Sequence, residues 1–239
     1  MKITYIHHSG FLAELEQVSL LFDYFEGELP AVSQEKPLVV FSSHRHGDHF
    51  APVIFELADR LPQVYYVLSD DIWRKRVPEK LRERTCFMGA GQQLLLEEQW
   101  PGLPKMQIRT LKSTDEGVAF LIETEEARIY HAGDLNNWVW AGEPESYNLQ
   151  MSGRFHQEIQ KLKGQKIDVA FMLLDPRQEG DFWRGMDEFM RTAEVKTVFP
   201  MHFWGDFQVT ERFKQLDCAE EYRDRIVEIH EKGETFEIE

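Results

Sequence analysis

The sequence predicts an α+β fold, and its pattern fits two β-sheets packed together with helices on their outer faces, although periodicity alone permits other α+β arrangements. Two observations lead there. The chain opens on apolar residues that alternate with polar ones and break at short turns, the pattern of antiparallel hairpins. In its C-terminal half, short apolar runs alternate with stretches of helical period, as strands do when helices cover a sheet.

The elements follow in order. Ile3 to His7, Phe11 to Leu15, and Val18, Leu20 and Phe22 read as three strands, returning to Asp23. Leu38 to Phe41 is a buried strand, and Val53, Ile54, Leu57 and Ala58 recur at helical period from about Ala51. A strand near Val64 to Leu68 and a short helix around Asp71 to Arg76 come next. Strands follow near Leu94, Ile108, Val118 to Ile122 and Ile129. Asn136 to Ser152 reads as an aromatic loop, Gly153 to Leu162 as a helix and Ile167 to Leu174 as a strand. Met186 to Thr192 is helical, Val195 to Phe199 a strand and Val209 to Leu216 a helix. Ile226 to Ile229 and Thr235 to Ile238 close the chain as strands.

At 239 residues, without a Ser/Gly-rich linker or an evident repeat, the chain is expected to form one domain over residues 1–239. Its apolar runs fall short of the roughly 20 residues that cross a bilayer. The N-terminus begins as a strand and offers no secretory signal pattern, so cytoplasmic residence is the expectation. Cys86 and Cys218 are expected as unbridged, partly buried thiols. A net charge of -15 repels polyanions and argues against nucleic acid as a partner. The basic clusters Arg74-Lys75-Arg76 and Lys80 to Arg84 have acidic neighbours and helical spacing, which reads as solvated helix faces. A small-molecule substrate and no membrane partner are expected, and a homo-oligomer is compatible with the sequence.

Ser43-His44-Arg45-His46-Gly47-Asp48-His49 concentrates three imidazoles and a carboxylate at the end of the Leu38 to Phe41 strand. Transition metals such as zinc take neutral histidine nitrogens and carboxylate oxygens at about 2.0 to 2.2 Å. His44 and His46 leave an extended chain on the same side. Gly47 is expected to free the backbone to turn, after which Asp48 and His49 open the helix from another angle. One turn can thus supply ligands to two adjacent metal positions.

This segment resembles the signature of the metallo-β-lactamase fold hydrolases, and more narrowly the branch similar to L-ascorbate-6-phosphate lactonase. The resemblance takes in Ile3 to Leu12, the strand ending at Asp23, Ile129-Tyr130-His131-Ala132-Gly133-Asp134, and Val198-Phe199-Pro200-Met201-His202. It implies a four-layer αββα sandwich, with Asp134 bridging two metals and His202 completing the second position. Read as residues, Asp134 and His202 each follow an apolar strand whose end can enter a cleft, and Ala132-Gly133 lets the backbone pass close by.

The chain departs from that family at one place. Such hydrolases carry a further histidine between the first motif and the Gly-Asp element. Here the region reads Leu111-Lys112-Ser113-Thr114-Asp115-Glu116-Gly117, and no histidine lies between His49 and His131. Asp115 is the candidate oxygen ligand in its stead; Ser113 and Thr114 could hold a water there. Zinc is the first expectation, as one or two ions, with manganese or iron as alternatives. His7 or His8, Asp23, His131 and Asp175 are candidates for orienting the ligands through a second hydrogen bond. His156 and His230 read as surface residues. Trp138, Trp140 and Tyr147 either shape access to the metal or fill a core under the loop, and Arg177 and Lys112 read as solvated cations.

The chemistry expected is hydrolysis of a small ester, lactone or phosphodiester by metal-bound hydroxide, with Asp48 and Asp134 as the catalytic carboxylates. No G-x-S-x-G elbow or phosphate loop is present. The rival is a metal-binding or ligand-binding module of the same fold with little or no catalytic activity.

Overall fold

Side-chain alternation along the first strands divides the apolar residues between two cores. The computed structural model describes residues 1–238. Strands β1 (Lys2–His7), β2 (Gly10–Glu14), β3 (Ser19–Phe22), β4 (Leu38–Ser42), β5 (Val64–Ser69) and β6 (Thr85–Met88) lie side by side in chain order. Strands β7 (Gln93–Leu95), β8 (Met106–Lys112), β9 (Val118–Thr124), β10 (Arg128–His131), β11 (Lys166–Leu173) and β12 (Glu194–Met201) form a second sheet. A last strand, β13 (Thr235–Glu237), returns to pair antiparallel with β1. Both sheets are mixed: β3 to β6 run parallel in the first, β10 to β12 in the second, and the remaining pairs are antiparallel.

Phe11, Ala13, Leu20, Phe22, Val39 and Phe41 face the second sheet and join its Phe120, Phe171 and Phe199 in the larger core. Their neighbours Leu12, Leu21, Leu38 and Val40 point the other way, under a 3₁₀ helix at Pro52–Asp59 that buries Ile54, Phe55 and Leu57. Period-2 alternation is thus used on both faces of the sheet. The α-helices are α1 (Leu96–Gln99), α2 (Glu145–Ile159), α3 (Arg184–Thr192) and α4 (Val209–Lys214). Phe155 and Ile159 of α2 and Met186, Phe189 and Met190 of α3 pack into the larger core, Phe189 stacking on Tyr130 of β10. The layers are helix, sheet, sheet, helix: the αββα sandwich that was expected. No helix among the described residues is long and apolar enough to cross a membrane.

Several elements differ from the sequence expectation. The helix placed at Gly153 begins at Glu145. Its first two turns carry too few apolar residues to show a period, and Gly153 faces open space, so nothing obliges the helix to start there. Ile226 to Ile229 makes a single bridge to Val198 and no strand. The helix expected at Asp71 to Arg76 is one 3₁₀ turn, Arg74–Arg76. Strand β6 and helix α1 are too short to carry a periodic signal. Cys86 and Cys218 are unbridged and half-buried.

Candidate metal centre

The polar residues expected at the site converge because strands from both sheets end on the same side. His8 occupies the turn after β1, Asp23 follows β3, His44 to His49 follow β4, Asp134 follows β10, Asp175 follows β11 and His202 follows β12. Two glycines let these ends close on one another. Gly117 (φ 68°) and Gly133 (φ 52°) have left-handed backbones, and a Cβ at either would stand 2.0 Å from the Ser43 carbonyl oxygen or 2.6 Å from the Ser43 Cβ respectively. Gly47, by contrast, has neither a positive φ nor a close neighbour. Asp48 and His49 sit in a turn ahead of the 3₁₀ helix, closed by the Phe50 N–H donating to the His46 carbonyl at 2.9 Å, so they do not open the helix as expected. The turn forms through that hydrogen bond, without glycine's freedom.

Two groups of donor atoms result. His44, His46 and Asp134 form one; His8, Asp48, His49 and His202 form the other, each group with its donor atoms within 4.8 Å of one another. Asp134 stands between them. Its Oδ2 lies 3.5 Å from Nε2 of His44, and its Oδ1 lies 3.3 Å from Nε2 of His49 and 3.4 Å from Nε2 of His202. Nε2 of His8 lies 3.5 Å from Oδ2 of Asp48, and Nε2 of His44 lies 3.0 Å from Nδ1 of His46. Donors about 2.0 to 2.2 Å from a shared tetrahedral ion stand about 3.3 to 3.6 Å apart, which most of these distances match. The buried Nε2 atoms of His8 and His49 and Oδ1 of Asp134 have no hydrogen-bond partner among the described residues. Buried polar atoms are ordinarily paired. A divalent cation satisfies all three, so the residues fit the group.

Surrounding residues fix the rings. Asp23 is buried and accepts hydrogen bonds from the Ser43 N–H (2.7 Å), the Ser43 hydroxyl (2.7 Å) and Nδ1 of His49 (2.7 Å). The Ser43 hydroxyl also lies 3.0 Å from Nδ1 of His44. Asp175 accepts from Nδ1 of His202 at 3.0 Å and is held by Arg177. A proton on Nδ1 leaves Nε2 of His49 and His202 free as the ligand atom. His131 is engaged elsewhere: Nε2 donates to the Ser9 carbonyl at 2.9 Å and Nδ1 accepts from the Gly133 N–H at 3.1 Å. His7 pairs with Glu26, away from the donors, while His156 and His230 pair with surface carboxylates.

Electrostatics follow from this packing. Burial opposes charge on His49, but Asp134 and Asp23 push its pKa up to about 9, so a proton and a cation compete for one nitrogen. Burial, helped by His49, lowers His44 to about 4 and keeps it neutral. Asp23 and Asp175 are each held at about 2 although burial acts the other way; the charges of His131 and His49 account for the first, and hydrogen bonds from His202 and Arg177 for the second. Asp48 and Asp134 also lie below the ordinary carboxylate range against the pull of burial, chiefly through His8 and through His49 respectively.

Asp115 stands at the rim. Its Oδ2 is 3.9 Å from Nδ1 of His46, its side chain is 47% exposed, and it belongs to neither donor group. Ser113 accepts from the Asp115 N–H, and the Thr114 hydroxyl is tied to the backbone of Asn136, so both hydroxyls brace the loop. Two contributors escaped the sequence reading. His8 entered it only as an orienting residue, and Glu116, whose Oε2 lies 3.3 Å from Nε2 of His46, not at all. The doublet His7-His8 was the signal for the first.

A cavity of about 410 Å³ opens above the donors. Trp138 and Trp140, stacked at 5.7 Å and 6°, form one wall with Tyr147 and Met151; Trp204 forms another, and Arg154 and Arg177 reach in. Trp138 is buried and lines the cavity, so it serves as both core and wall. Arg177 is exposed, as expected, and its guanidinium pairs with both Asp175 oxygens and lies 4.6 Å from the Trp204 ring centroid. Lys112 is exposed.

A family model described as the beta-lactamase superfamily domain matches residues 2–148. The chain is 30% identical to a UPF0173 metal-dependent hydrolase of Opitutus terrae, with 100% of each chain covered. It is 24% identical to a UPF0173 metal-dependent hydrolase of Methanopyrus kandleri over 99% of this chain and 100% of the other. The solved structure of Igni18, a metallo hydrolase from Ignicoccus hospitalis, is similar at a TM-score of 0.68 and 19% identity over 100% of this chain and 99% of that one, which shows a shared fold.

Proposed function

The chain belongs to the β-lactamase superfamily, and from that membership we propose that it is a metal-dependent hydrolase of small anionic esters, lactones or phosphodiesters. The observation that carries this reading is the pair of donor groups on the floor of a cavity, with three buried, unpartnered donor atoms that a cation would satisfy together. His44, His46 and Asp134 would hold one ion and Asp48, His49 and His202 the other, with Asp134 shared. Zinc suits the nitrogen-rich set; manganese or iron are the alternatives. When bound, such an ion polarises a carbonyl or phosphoryl oxygen and lowers the pKa of water toward about 7.

The side chains supply orientation. Asp134 reaches both groups, one oxygen to each. Asp48 and Asp134 are anions at neutral pH, so they orient a nucleophile rather than donate protons. Asp115, at the rim 3.9 Å from His46 and outside both donor groups, is the carboxylate that would have to swing inward to take the place of the absent histidine at the first position. The aromatic walls exclude water and hold an apolar body. Arg154 lines the cavity without a carboxylate partner among the described residues, which suits it to an anionic group on the substrate. The resemblance to the L-ascorbate-6-phosphate lactonase branch makes lactones the first substrates to test.

The experiment is a panel of lactones, esters and phosphodiesters assayed with metal supplied. Asp134→Ala and His49→Ala should abolish turnover while leaving the circular dichroism spectrum intact, and chelation should abolish it reversibly. Absence of metal-dependent turnover across the panel, with metal bound, would favour the binding-module reading.

A further inference from the structure

The turn after β1 holds one imidazole under strain. His8 has φ 55°, a left-handed conformation that residues with a Cβ seldom adopt and that persists only where its surroundings enforce it. Its backbone is clamped from two sides: the His8 N–H donates to the Tyr5 hydroxyl at 3.0 Å, and the His8 carbonyl accepts from the His202 N–H at 3.2 Å. The ring is thereby pressed to 4.1 Å from the His202 ring and 4.5 Å from that of Trp204. Its Nε2 is buried and unpartnered. The 3.5 Å to Asp48 is longer than an N–H···O bond but matches the spacing of two donors on one ion.

Building on the metal-dependent reading of the site, we propose that His8 is itself a ligand of the position formed by Asp48, His49 and His202. The position formed by Asp48, His49 and His202 then has a third histidine, supplied by the first hairpin. The two positions become unequal. One is enclosed by three imidazoles and a carboxylate of its own, a complete tetrahedral set even before Asp134 is counted. The other has His44, His46 and the shared Asp134, and His46 is 42% exposed toward the cavity. The enclosed position retains its ion, and the open one exchanges ions and admits substrate.

The test loads the full chain with one equivalent of zinc and counts imidazoles by X-ray absorption, alongside a chelator competition. Wild type should show three imidazoles and retain nearer one zinc than two after dialysis. His8→Gln, and His8→Asn, which suits a left-handed backbone, should show two, with affinity weakened by more than the roughly 100-fold that marks the upper end of what losing an orienting partner causes. If His8 only steadied Asp48 through a hydrogen bond, the amide variants would keep the imidazole count and most of the affinity. That outcome overturns the assignment while leaving the hydrolase reading in place. A wild-type chain that retains no zinc, manganese or iron overturns both.

Discussion

Asp23 joins the metal turn at three atoms of two residues, and its effect is felt through other side chains rather than through substrate. It fixes the Ser43 backbone, the Ser43 hydroxyl and the ring of His49, and through Ser43 it reaches His44. Asp23→Asn would place an amide donor against groups that themselves donate. The expected result is a 10- to 100-fold loss of metal affinity, roughly that seen when orienting carboxylates are removed. A chelator competition measures it. Unchanged affinity in a folded variant would mean that His49 is positioned by packing alone.

Strands β10, β11 and β12 run parallel and deliver Asp134, Asp175 and His202 to one edge of the sheet, so their register matters to the centre. Asp168 pins that register from the far end. Its Oδ2 accepts the Arg128 N–H of β10 at 2.8 Å, and its Oδ1 pairs with Lys196 of β12 at 2.7 Å. Burial opposes its charge, but Lys196 and the Arg128 N–H lower its pKa overall. A carboxyl with a depressed folded-state pKa contributes stability that is present above its unfolded pKa of about 3.9 and is lost as the pH falls through the folded value. Asp168→Asn should therefore cost about 1 kcal/mol at pH 7, given the exposure of the pair. The gap to wild type should close in urea titrations below about pH 4. A gap independent of pH would show that the loss is one of packing.

Taken whole, the molecule joins two sheets along one shared core and, at one rim, along the donor groups. His8 and His44 to His49 come from the first sheet, and Asp134 and His202 from the second. A cation held by both would tie the sheets as well as serve catalysis. Metal at about 100 times its Kd stabilises a fold by about 2.7 kcal/mol, which for a chain of this size raises Tm by about 5 to 10 °C. Chelation should lower Tm by that amount in calorimetry, and restored metal should recover it. A Tm indifferent to chelation would place all cross-sheet stability in the apolar core.

The alternation of Phe11, Ala13, Leu20 and Phe22, and the crowding of His44, His46, Asp48 and His49 into one turn, are local facts, and local spacing alone implied strands of two-faced sheets and a cluster of ligands. Asp134 and His202 are legible only through the resemblance to the metallo-β-lactamase fold, since alone a Gly-Asp after a strand reads as an ordinary turn and a histidine after Pro-Met as a capping or surface residue. What the tertiary structure decided lies between residues far apart in the chain. Whether His8 orients or ligates depends on a meeting with Asp48, His49 and His202 that no short window contains. Asp115 fell outside the donor groups, and Glu116 came within reach of His46, where the loop between β8 and β9 is tied through Thr114 to the backbone of Asn136, far along the chain. Helix α2 was hidden because its first turns touch little, and amphipathic period is visible only where a helix has a face to bury. Periodicity and spacing record what each segment does with its neighbours in sequence; the centre is made by strand ends that meet only when both sheets have packed.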